Sequence, residues 1–352
     1  MKIAMLFDGA SALGASADIQ ILETVEAIEA ILVAEGNTVV RIPINTDGRW
    51  IERVRRAKAD LAFNMCEGID GVAALEPAAI ASLEILGVPY TGSSSYTTAL
   101  SLRKHVVNAL LDKLNLPIPR FAVVRRGGVL PTVGFPAICK PAAEDASVGI
   151  EQKSVVRTVK QLADRVEAMH ERWDEILVQR FVDGREVNVG ILDDQVLPIA
   201  EIKFAMPKGM WRIVSYRSKW ETGSDEDLGA TPVCPAPLDR KLAAELKRVA
   251  LDAWRAVGGV GYGRVDFRID RTGRPWLLEV NANPDLSPGA GLARMARVAG
   301  YEYADVIRMI CAEAMRRRES MGEESWALSV RLSGVVTHDA AALDLFAVGK
   351  PQ

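Results

Sequence analysis

The chain has 352 residues, of which 49% are apolar and 25% are charged. This length is too great for one simple core and suits two or three packed domains, while the composition is that of an ordinary globular protein. The net charge is only −3, and lysine and arginine are scattered, so the chain lacks the electrostatic footprint of a protein that binds nucleic acid or an anionic membrane.

The amino-terminal segment indicates a cytoplasmic protein. Its apolar run, MKIAMLF, is interrupted at Asp8, so it is too short for a signal-peptide core and is typical of a first β-strand. The sequence has no stretch of 18 apolar residues that would predict a membrane span. The four cysteines lack CxxC spacing and are predicted to be reduced thiols, and the three histidines leave little material for a zinc site or a Ser-His-Asp triad.

The first 95 residues alternate between strand-like and helix-like segments. Buried strands are predicted at KIAMLF, TVVRIP and DLAFNM, with helices over 18–35 and 76–86. Strands separated by helices are typical of a parallel sheet with helices on its faces. Residues 1–95 are therefore predicted to form an amino-terminal α/β substrate domain.

Two further domains are predicted after it. Residues 96–184 have the size of a small α+β domain, with a helix over 97–114 that ends before two prolines. Residues 185–318 mix strands, including 260–269 and 275–281, with helices. The remaining residues, 319–352, are predicted to be a loosely held tail.

The segment GRVDFRIDRTGRPWLLEVNANP is the most informative part of the sequence. Polar and apolar residues alternate on both sides of a turn at 271–274, as expected of a β-hairpin with one polar face. If Asp270 pairs with Pro275 across this turn, Asp266 faces Glu279 on the polar face.

This predicted pair of acids indicates a metal site. Two carboxylates about 5 Å apart repel each other by roughly 3 kcal/mol at an effective dielectric constant of about 20, so the pair needs a compensating cation. Mg²⁺ prefers such oxygen ligands together with nucleotide phosphates, and Asn281, which would face Arg264, offers a third oxygen. The alternative is an exposed sheet face on which Arg264 and Arg268 form salt bridges with Asp266 and Glu279.

A loop of small residues follows the strand FPAICK. Lys140 ends this strand, and residues 144–149 then lead to a glycine. Backbone N–H groups and a hydroxyl in such a loop can approach a phosphate closely while the lysine neutralises it, although an ordinary surface turn would look the same. The run GGVGYG at 258–263 follows a helix and precedes a strand, which is the reverse of a dinucleotide-binding fingerprint, so that function is rejected.

Six stretches, read in order, resemble the D-alanine–D-alanine ligase family of the ATP-grasp superfamily. They are DLAFNM, LEILGVPYTGSSSYTTALSLRK, FPAICKPAAEDASVG, ILVQRFVDGREV, SYRSKWETGS and GRVDFRIDRTGRPWLLEVNANP. The resemblance implies an α/β (α+β) ATP-grasp fold behind an amino-terminal parallel-sheet domain, with ATP gripped between the central and carboxy-terminal domains. It also implies an ATP-dependent ligase that joins amino-acid-like carboxylate and amine substrates through an acyl phosphate and releases ADP and phosphate.

The resemblance further implies a role for individual residues. Those that would bind ATP are Lys104 and Lys140 at the phosphates, Gln179, Arg180, Phe181 and Val182 at the adenine, and Glu186 at the ribose. Those that would bind Mg²⁺ or Mn²⁺ are Asp266, Glu279 and Asn281. The catalytic residues would be Lys219 at the transferred phosphoryl group, Arg264 at the acyl-phosphate oxygen, and Ser147 in the small-residue loop. Trp220, Asp285 and Ser287 would line the substrate pocket beside Arg264.

Several positions on the substrate side depart from the family. A serine of its small-residue loop is Ala146 here, the aromatic residue after the phosphate lysine is Trp220, and its NxNPG motif ends as Asn283-Pro284-Asp285. Its HGxxGEDG segment has become Cys66-Glu67-Gly68-Ile69-Asp70-Gly71, and its amino-terminal GG-x-S-x-E segment has become Asp8-Gly9-Ala10-Ser11-Ala12. Because Ala146 and Trp220 cannot form the family's serine–tyrosine hydrogen bond, a relative that joins other amino-acid-like substrates is favoured.

Three alternatives stay open on the sequence alone. They are a true D-alanine–D-alanine ligase of cell-wall synthesis, an ATP-grasp phosphotransferase that acts on a small molecule, and a non-catalytic ATP-binding module. In each case the expected partners are small molecules rather than nucleic acid or a membrane, and a homodimer is expected by analogy.

Overall fold

A computed structural model describes residues 1–10 and 16–321 of the chain, with side chains for 1–10 and 21–319. Its amino-terminal part holds a parallel sheet with the strand order β2-β1-β3. The strands are β1 (Lys2–Asp8), β2 (Thr38–Ile44) and β3 (Leu61–Asn64), and the helices are α1 (Ser16–Ala34), α2 (Arg49–Ala57) and α3 (Glu76–Leu86). The predicted parallel sheet is confirmed, and the buried run of β1 explains it because strands covered on both faces are apolar throughout.

The second sheet is antiparallel, with the strand order β4-β7-β5-β6. Its elements are α4 (Ser95–Leu102), α5 (Lys104–Lys113), β4 (Phe121–Arg125), β5 (Ala137–Pro141), β6 (Val155–Val156), α6 (Val159–Met169) and β7 (Glu175–Arg180). The single helix predicted over 97–114 is wrong, because Arg103 leaves the helical conformation and separates α4 from α5. The backbone N–H of Lys104 then donates to the carbonyl of Ala142, so α5 begins against the small-residue loop.

The third sheet has the strand order β11-β10-β8-β12-β13, with β9 paired to β8. Its strands are β8 (Gly184–Leu192), β9 (Gln195–Val196), β10 (Ala200–Phe204), β11 (Ala230–Val233), β12 (Tyr262–Asp270) and β13 (Pro275–Asn281). Its helices are α7 (Tyr216–Trp220), α8 (Asp225–Leu228), α9 (Arg240–Ala256), α10 (Gly291–Val298) and α11 (Tyr303–Met321). The part of the predicted tail beyond Met321 lies outside the described residues.

The hairpin of β12 and β13 contains a β-bulge that the alternation pattern did not reveal. Asp266 pairs with Glu279, as predicted, but the register shifts by one residue between Asp266 and Phe267, and Ile269 rather than Asp270 pairs with Pro275. The bulged residue is Leu278, which has no pairing partner in β12. Bulges re-aim side chains next to functional sites, and this one turns Leu278 away from the core, where Leu277 is fully buried instead.

Helix α9 covers the apolar face of the third sheet. Its residues Leu246, Val249 and Trp254 are buried in one cluster with Phe267 and Leu277. Burying a side chain of this size contributes about 1.5–3 kcal/mol. Because α9 covers one face, the polar residues of β12 and β13 lie on the opposite face.

Helices α10 and α11 pack the third sheet against the amino-terminal sheet. Met295 and Ile310 from these helices share a buried cluster with Phe63 of β3 and Leu192 of β8. This packing places the loop after β13 against the amino-terminal domain. Among the described helices, none has the length and apolarity needed to cross a membrane.

Candidate active site

Two opposed acids lie at the centre of the polar face. Asp266 pairs with Glu279 on β13 and with Asn188 on β8. The guanidinium of Arg264 donates to both oxygens of Asp266, at 2.8 and 2.9 Å, and the Asn188 amide donates to Oδ1 at 2.6 Å. Asp266 is only 7% exposed, so the alternative of an exposed sheet face is wrong, although the salt bridge from Arg264 that it included is present.

Cations surround the second acid. Lys104 Nζ lies 3.6 Å from Glu279 Oε2. Burial opposes ionisation of Glu279, but Lys104, Lys140 and Arg264 outweigh it and hold the pKa of this carboxyl well below its usual range. The acid is therefore a carboxylate at neutral pH, and burial lowers the pKa of Lys140 although Glu279 partly offsets this effect.

The small-residue loop at 144–149 is held over this cluster from two sides. On one side Lys104 Nζ donates to the Glu144 carbonyl at 2.6 Å and to Asp145 Oδ1 at 2.5 Å. On the other side Trp220 Nε1 donates to the Ala146 carbonyl at 3.0 Å, and Ser147 Oγ donates to the Val214 carbonyl at 3.1 Å. The loop is thus fixed in place by side chains from α5 and α7.

The backbone of this loop is unusual. Ala146 and Ser147 both have positive φ angles, 55° and 61°, a conformation that non-glycine residues adopt infrequently and that is enriched at ligand-binding loops. Gly149 has a φ of 75°, and a Cβ at this position would lie 2.7 Å from Pro141 and 2.8 Å from Trp173. Glycine is therefore required at the end of the loop.

A cavity lies between the second and third sheets, and we call it the inter-sheet cavity. It is lined by every residue that was predicted to bind ATP, except Lys104, and by the apolar side chains of Ile138, Ile202 and Leu278. Gln179 is 1% exposed, its Oε1 accepts from Lys140 Nζ at 3.5 Å, and its Nε2 has no hydrogen-bond partner among the described residues. An unpaired buried amide is costly, so this donor is suited to a ligand acceptor.

The predicted ribose residue is preorganised by an ion pair. Glu186 on β8 accepts from Arg268 on β12, with an Nη2–Oε2 distance of 2.6 Å. Burial raises the pKa of Glu186, and Arg268 partly opposes this shift. The salt bridge that the alternative hypothesis gave Arg268 is therefore made with Glu186 and not with Asp266 or Glu279.

A second cavity lies between the amino-terminal sheet and the loop after β13, and we call it the amino-terminal cavity. The described residues that line it include Trp220 and Asp285 from the predicted substrate set, as well as Asp8, Glu67, Glu76 and Asn283. Ser287, the third predicted substrate residue on this side, does not line the cavity; it is buried, and its backbone N–H donates to Asp285 Oδ1 at 2.8 Å.

Asn283 ties the loop after β13 to the amino-terminal domain. Its amide nitrogen donates to the Cys66 carbonyl and to Glu76 Oε1, both at 2.9 Å, and its oxygen accepts from the Tyr262 hydroxyl at 3.0 Å. Burial raises the pKa of Glu76, and Asp145 adds to the shift. Asn283 therefore fixes one wall of the amino-terminal cavity.

The two cavities meet at a cationic junction. Lys219, Arg264 and Asn281 line both of them, as do Asp145 and Ala146 of the small-residue loop. A group bound in one cavity can therefore reach a group bound in the other beside a lysine and an arginine.

Sequence reasoning missed several residues of this site, including Asn188, Leu278, Glu76 and Asn283. Asn188 and Leu278 gave no local signal, because the first depends on strand pairing and the second on the bulge. Glu76 and Asn283 come together only in the fold, since 207 residues separate them in the chain. For the described residues, no group of three or more His, Cys, Asp or Glu side chains is arranged to hold a metal, so the predicted ion would depend on Asp266, Glu279, the Asn281 amide and ligand oxygens.

Comparisons with known proteins show the family to which the chain belongs. Residues 110–312 match the family model described as the D-ala D-ala ligase C-terminus. The chain is 35% identical over 247 residues to the D-alanine–D-alanine ligase of Geobacter sulfurreducens, covering 68% of this chain and 74% of that one. It is 33% identical over 322 residues to the enzyme of the same name from Syntrophotalea carbinolica, covering 90% and 97%.

The fold is also found in a solved structure. The D-alanine–D-alanine ligase of Bacillus anthracis complexed with ATP superposes with a TM-score of 0.76 over 92% of this chain and all of that chain, at 22% identity. Fold and site together define an ATP-grasp enzyme, a ligase that forms C–N bonds. The chain belongs to the D-alanine–D-alanine ligase family.

Proposed function

We propose that this enzyme uses ATP to convert an amino-acid-like carboxylate into an acyl phosphate, which an amine substrate then attacks to form an amide. The observation that carries the proposal is the junction of the two cavities. Lys219 and Arg264 lie there between a cavity with buried polar and apolar walls on one side and an acid-lined cavity on the other. A phosphoryl group transferred from one cavity to the other would pass between these two cations.

The inter-sheet cavity suits ATP. The related Bacillus anthracis protein was solved with ATP, and Gln179 here offers a buried amide hydrogen without a described partner. In this proposal Gln179 and the backbone of 180–182 contact the adenine, and Glu186 accepts from the ribose hydroxyls. Lys104 and Lys140 neutralise the phosphates.

The opposed acids suit a divalent cation. Asp266 and Glu279 provide carboxylate oxygens and Asn281 an amide oxygen, which are the hard donors that Mg²⁺ and Mn²⁺ accept. When bound there, the ion would supply charge neutralisation and orientation for the triphosphate. Lys104 and Arg264 form ion pairs with Glu279 and Asp266, so these two cations would share the compensation of the acidic pair with the ion.

The proposed reaction requires correctly positioned substrates and neutralised charge rather than a nucleophilic side chain. A carboxylate is a poor acyl donor, whereas phosphate is a good leaving group from a mixed anhydride. Lys219 would stabilise the charge on the transferred phosphoryl group, and Arg264 would hold the acyl-phosphate oxygen and the later oxyanion. Ser147 would present the small-residue loop to the phosphates through its backbone, since its hydroxyl already donates to Val214.

We propose substrates other than two D-alanine molecules. The serine–tyrosine hydrogen bond of the family is replaced by a bond from Trp220 to the Ala146 backbone, which changes the wall shared by loop and cavity. A true D-alanine–D-alanine ligase is the second candidate, because a relative with that name is matched over 97% of its length.

The proposal extends to organisation and location. Each of the ranges 1–95, 96–184 and 185–318 holds one of the three sheets apart from small overlaps at their ends, which supports the predicted three-domain division. The substrates would be small amino-acid molecules, and the enzyme would act in the cytoplasm, where ATP is available.

Purified protein incubated with Mg·ATP and a panel of D- and L-amino acids, dipeptides and other amines tests the function. ADP and a product whose mass is that of two substrates less water would support the ligase. ADP with a phosphorylated product and no dependence on an amine would instead identify a phosphotransferase. AMP with pyrophosphate would contradict the acyl-phosphate mechanism, and D-alanyl-D-alanine as the favoured product would establish the second candidate.

A further inference from the structure

Six of the described residues that line the amino-terminal cavity are acidic, and they differ in whether their carboxylates are engaged. Five of them accept hydrogen bonds. Asp8 accepts from the backbone N–H groups of Ala10, Asp70 and Gly71, and Asp285 accepts from the backbone N–H of Ser287. Glu76 accepts from the side chain of Asn283, Glu144 from that of Trp173, and Asp145 from that of Lys104. For Glu67, the described part of the chain provides neither a hydrogen bond nor an ion pair. This carboxylate is therefore available to a ligand.

The backbone around Glu67 is held in place. The carbonyl of Cys66 accepts from Asn283 at 2.9 Å. A Cβ on Gly68 would lie 3.0 Å from the Val72 carbonyl oxygen, so the turn is tight and only glycine fits it without a shift. Glu67 thus projects from a fixed loop after β3 into the cavity that contains Arg264 and Lys219.

The surroundings of Glu67 allow it to exchange a proton near neutral pH. The Glu67 side chain is exposed to the cavity. Protein groups that crowd around it still desolvate the carboxyl and raise its pKa to about 7, with a lowering contribution from Lys219 and a raising one from Asp285. The charged and titratable groups that face it from the packed elements are Lys219, Arg264, Asp285, Asp145, Glu76, Cys66 and Tyr262. Lys219 and Arg264 carry their full complement of protons while charged, so neither of them can accept a proton.

We propose that Glu67 is the general base that accepts a proton from the ammonium group of the second substrate. This inference rests on the proposed ligase function. An ammonium ion has no free electron pair, so it must lose a proton before its nitrogen attacks the acyl phosphate. Glu67 takes that proton, the C–N bond forms, and the C–O bond to phosphate breaks with its electron pair on phosphate. The second N–H proton leaves with the phosphate.

Hydroxylamine distinguishes a base for the amine from a residue needed for ATP binding or acyl-phosphate formation. It is already uncharged at neutral pH and traps acyl phosphates as hydroxamates without a base. The experiment compares the wild type with Glu67→Gln, using Mg·ATP and either D-alanine or the amino acid that gives the most ADP in the panel. We expect Glu67→Gln to make hydroxamate at a near wild-type rate. Its amide-forming kcat should fall roughly 100- to 10,000-fold, the usual contribution of a general base, and its rise with pH near 7 should disappear.

Asp70→Asn is the matched control, because Asp70 lies on the same loop and its carboxylate accepts from Thr46 outside the cavity. This variant should keep both activities. Wild-type amide formation and an unchanged pH profile in Glu67→Gln would overturn the proposal. So would a higher KM for the amine at unchanged kcat, which would make Glu67 a binding residue, or an equal loss of hydroxamate. Absence of both hydroxamate and amide with the wild type would instead defeat the ligase function.

Discussion

The indole N–H of Trp220 donates to the backbone carbonyl of Ala146 at a distance of 3.0 Å. This single bond joins α7, which carries Lys219, to the loop at 144–149. Lys104 holds the same loop from the opposite side. The loop and Lys219 therefore keep a fixed relation, which phosphoryl transfer requires because it depends mainly on positioning.

Trp220→Phe should weaken catalysis without unfolding the protein. Phenylalanine keeps most of the ring but removes the donor, and a hydrogen bond of this kind contributes about 1 kcal/mol, so kcat/KM for ATP should fall about fivefold. Steady-state kinetics with ATP measure the effect. Trp276→Phe is the control, since it removes an indole bond to Asp270 at the far end of the hairpin. Equal losses in the two variants would contradict a specific role for Trp220.

Glu279→Gln should abolish turnover while the fold persists. The amide removes one of the two carboxylates of the proposed ion site, and loss of several kcal/mol of charge stabilisation corresponds to roughly a 1,000-fold lower rate of ADP formation. The assay is ADP release as a function of Mg²⁺ and Mn²⁺ concentration, with circular dichroism as the check on folding. Glu245→Gln on the exposed side of α9 is the control. Wild-type turnover in Glu279→Gln would defeat the metal assignment.

Arg268→Met should destabilise the protein strongly. Arg268 is 3% exposed and forms an ion pair with the largely buried Glu186. Removing one partner leaves the other charge unpaired, which costs about 3–5 kcal/mol of unfolding free energy. Urea denaturation measures this loss. The exposed pair of Arg248 and Asp252 provides the control, because Arg248→Met should cost less than about 1 kcal/mol.

Asp270→Asn should destabilise the hairpin in a pH-dependent manner. Desolvation opposes ionisation of Asp270, but hydrogen bonds from Thr272, Trp276 and Arg274 outweigh it and lower the pKa to about 2. A lowered pKa in the folded state stabilises the protein above the unfolded-state pKa, and this contribution is lost as the pH falls through the folded-state pKa.

The wild type should therefore exceed Asp270→Asn in unfolding free energy by about 1 kcal/mol at neutral pH, since the carboxylate is partly exposed and screened. The difference should shrink as the pH falls from about 4 to about 2. Urea titrations at several pH values provide the measurement. Asp174→Asn, at an acid whose side chain is 91% exposed, should show no such dependence, and a constant difference for Asp270→Asn would contradict the assignment.

The opposed acids could be predicted from sequence because polar and apolar residues alternate with a period of two in the parts of β12 and β13 next to the site. Asp266 faces Glu279 as the pattern required. The pairing next to the turn could not be predicted. Ile269 rather than Asp270 pairs with Pro275, which shifts the register by one residue, and the bulge at Leu278 shifts it back before Asp266 reaches Glu279. Alternation cannot distinguish Leu277 from Leu278 as the core residue, since both are apolar.

Long-range contacts explain the other differences. The break between α4 and α5 depends on the carbonyl of Ala142, which follows a strand that the local helix pattern does not include. The link from Asn283 to Glu76 joins parts of the chain that no local pattern relates. Sequence motifs thus indicated the residues of the proposed ATP and metal site, which lie mostly on regular strands. They missed Glu76 and Asn283 in the amino-terminal cavity, whose contact depends on domain packing.

The pairing of Glu186 with Arg268 bears on which sugar the enzyme accepts. Arg268 fixes the carboxylate before any nucleotide arrives, so its remaining lone pairs point in set directions. In the proposed assignment, a deoxynucleotide lacks the 2′-hydroxyl that would donate to Glu186. One lone pair of this largely buried carboxylate would then have no donor. Sites built to pair a hydroxyl reject the analogue that lacks it far more strongly than apolar pockets reject a missing methylene. The enzyme should therefore discriminate between ATP and dATP.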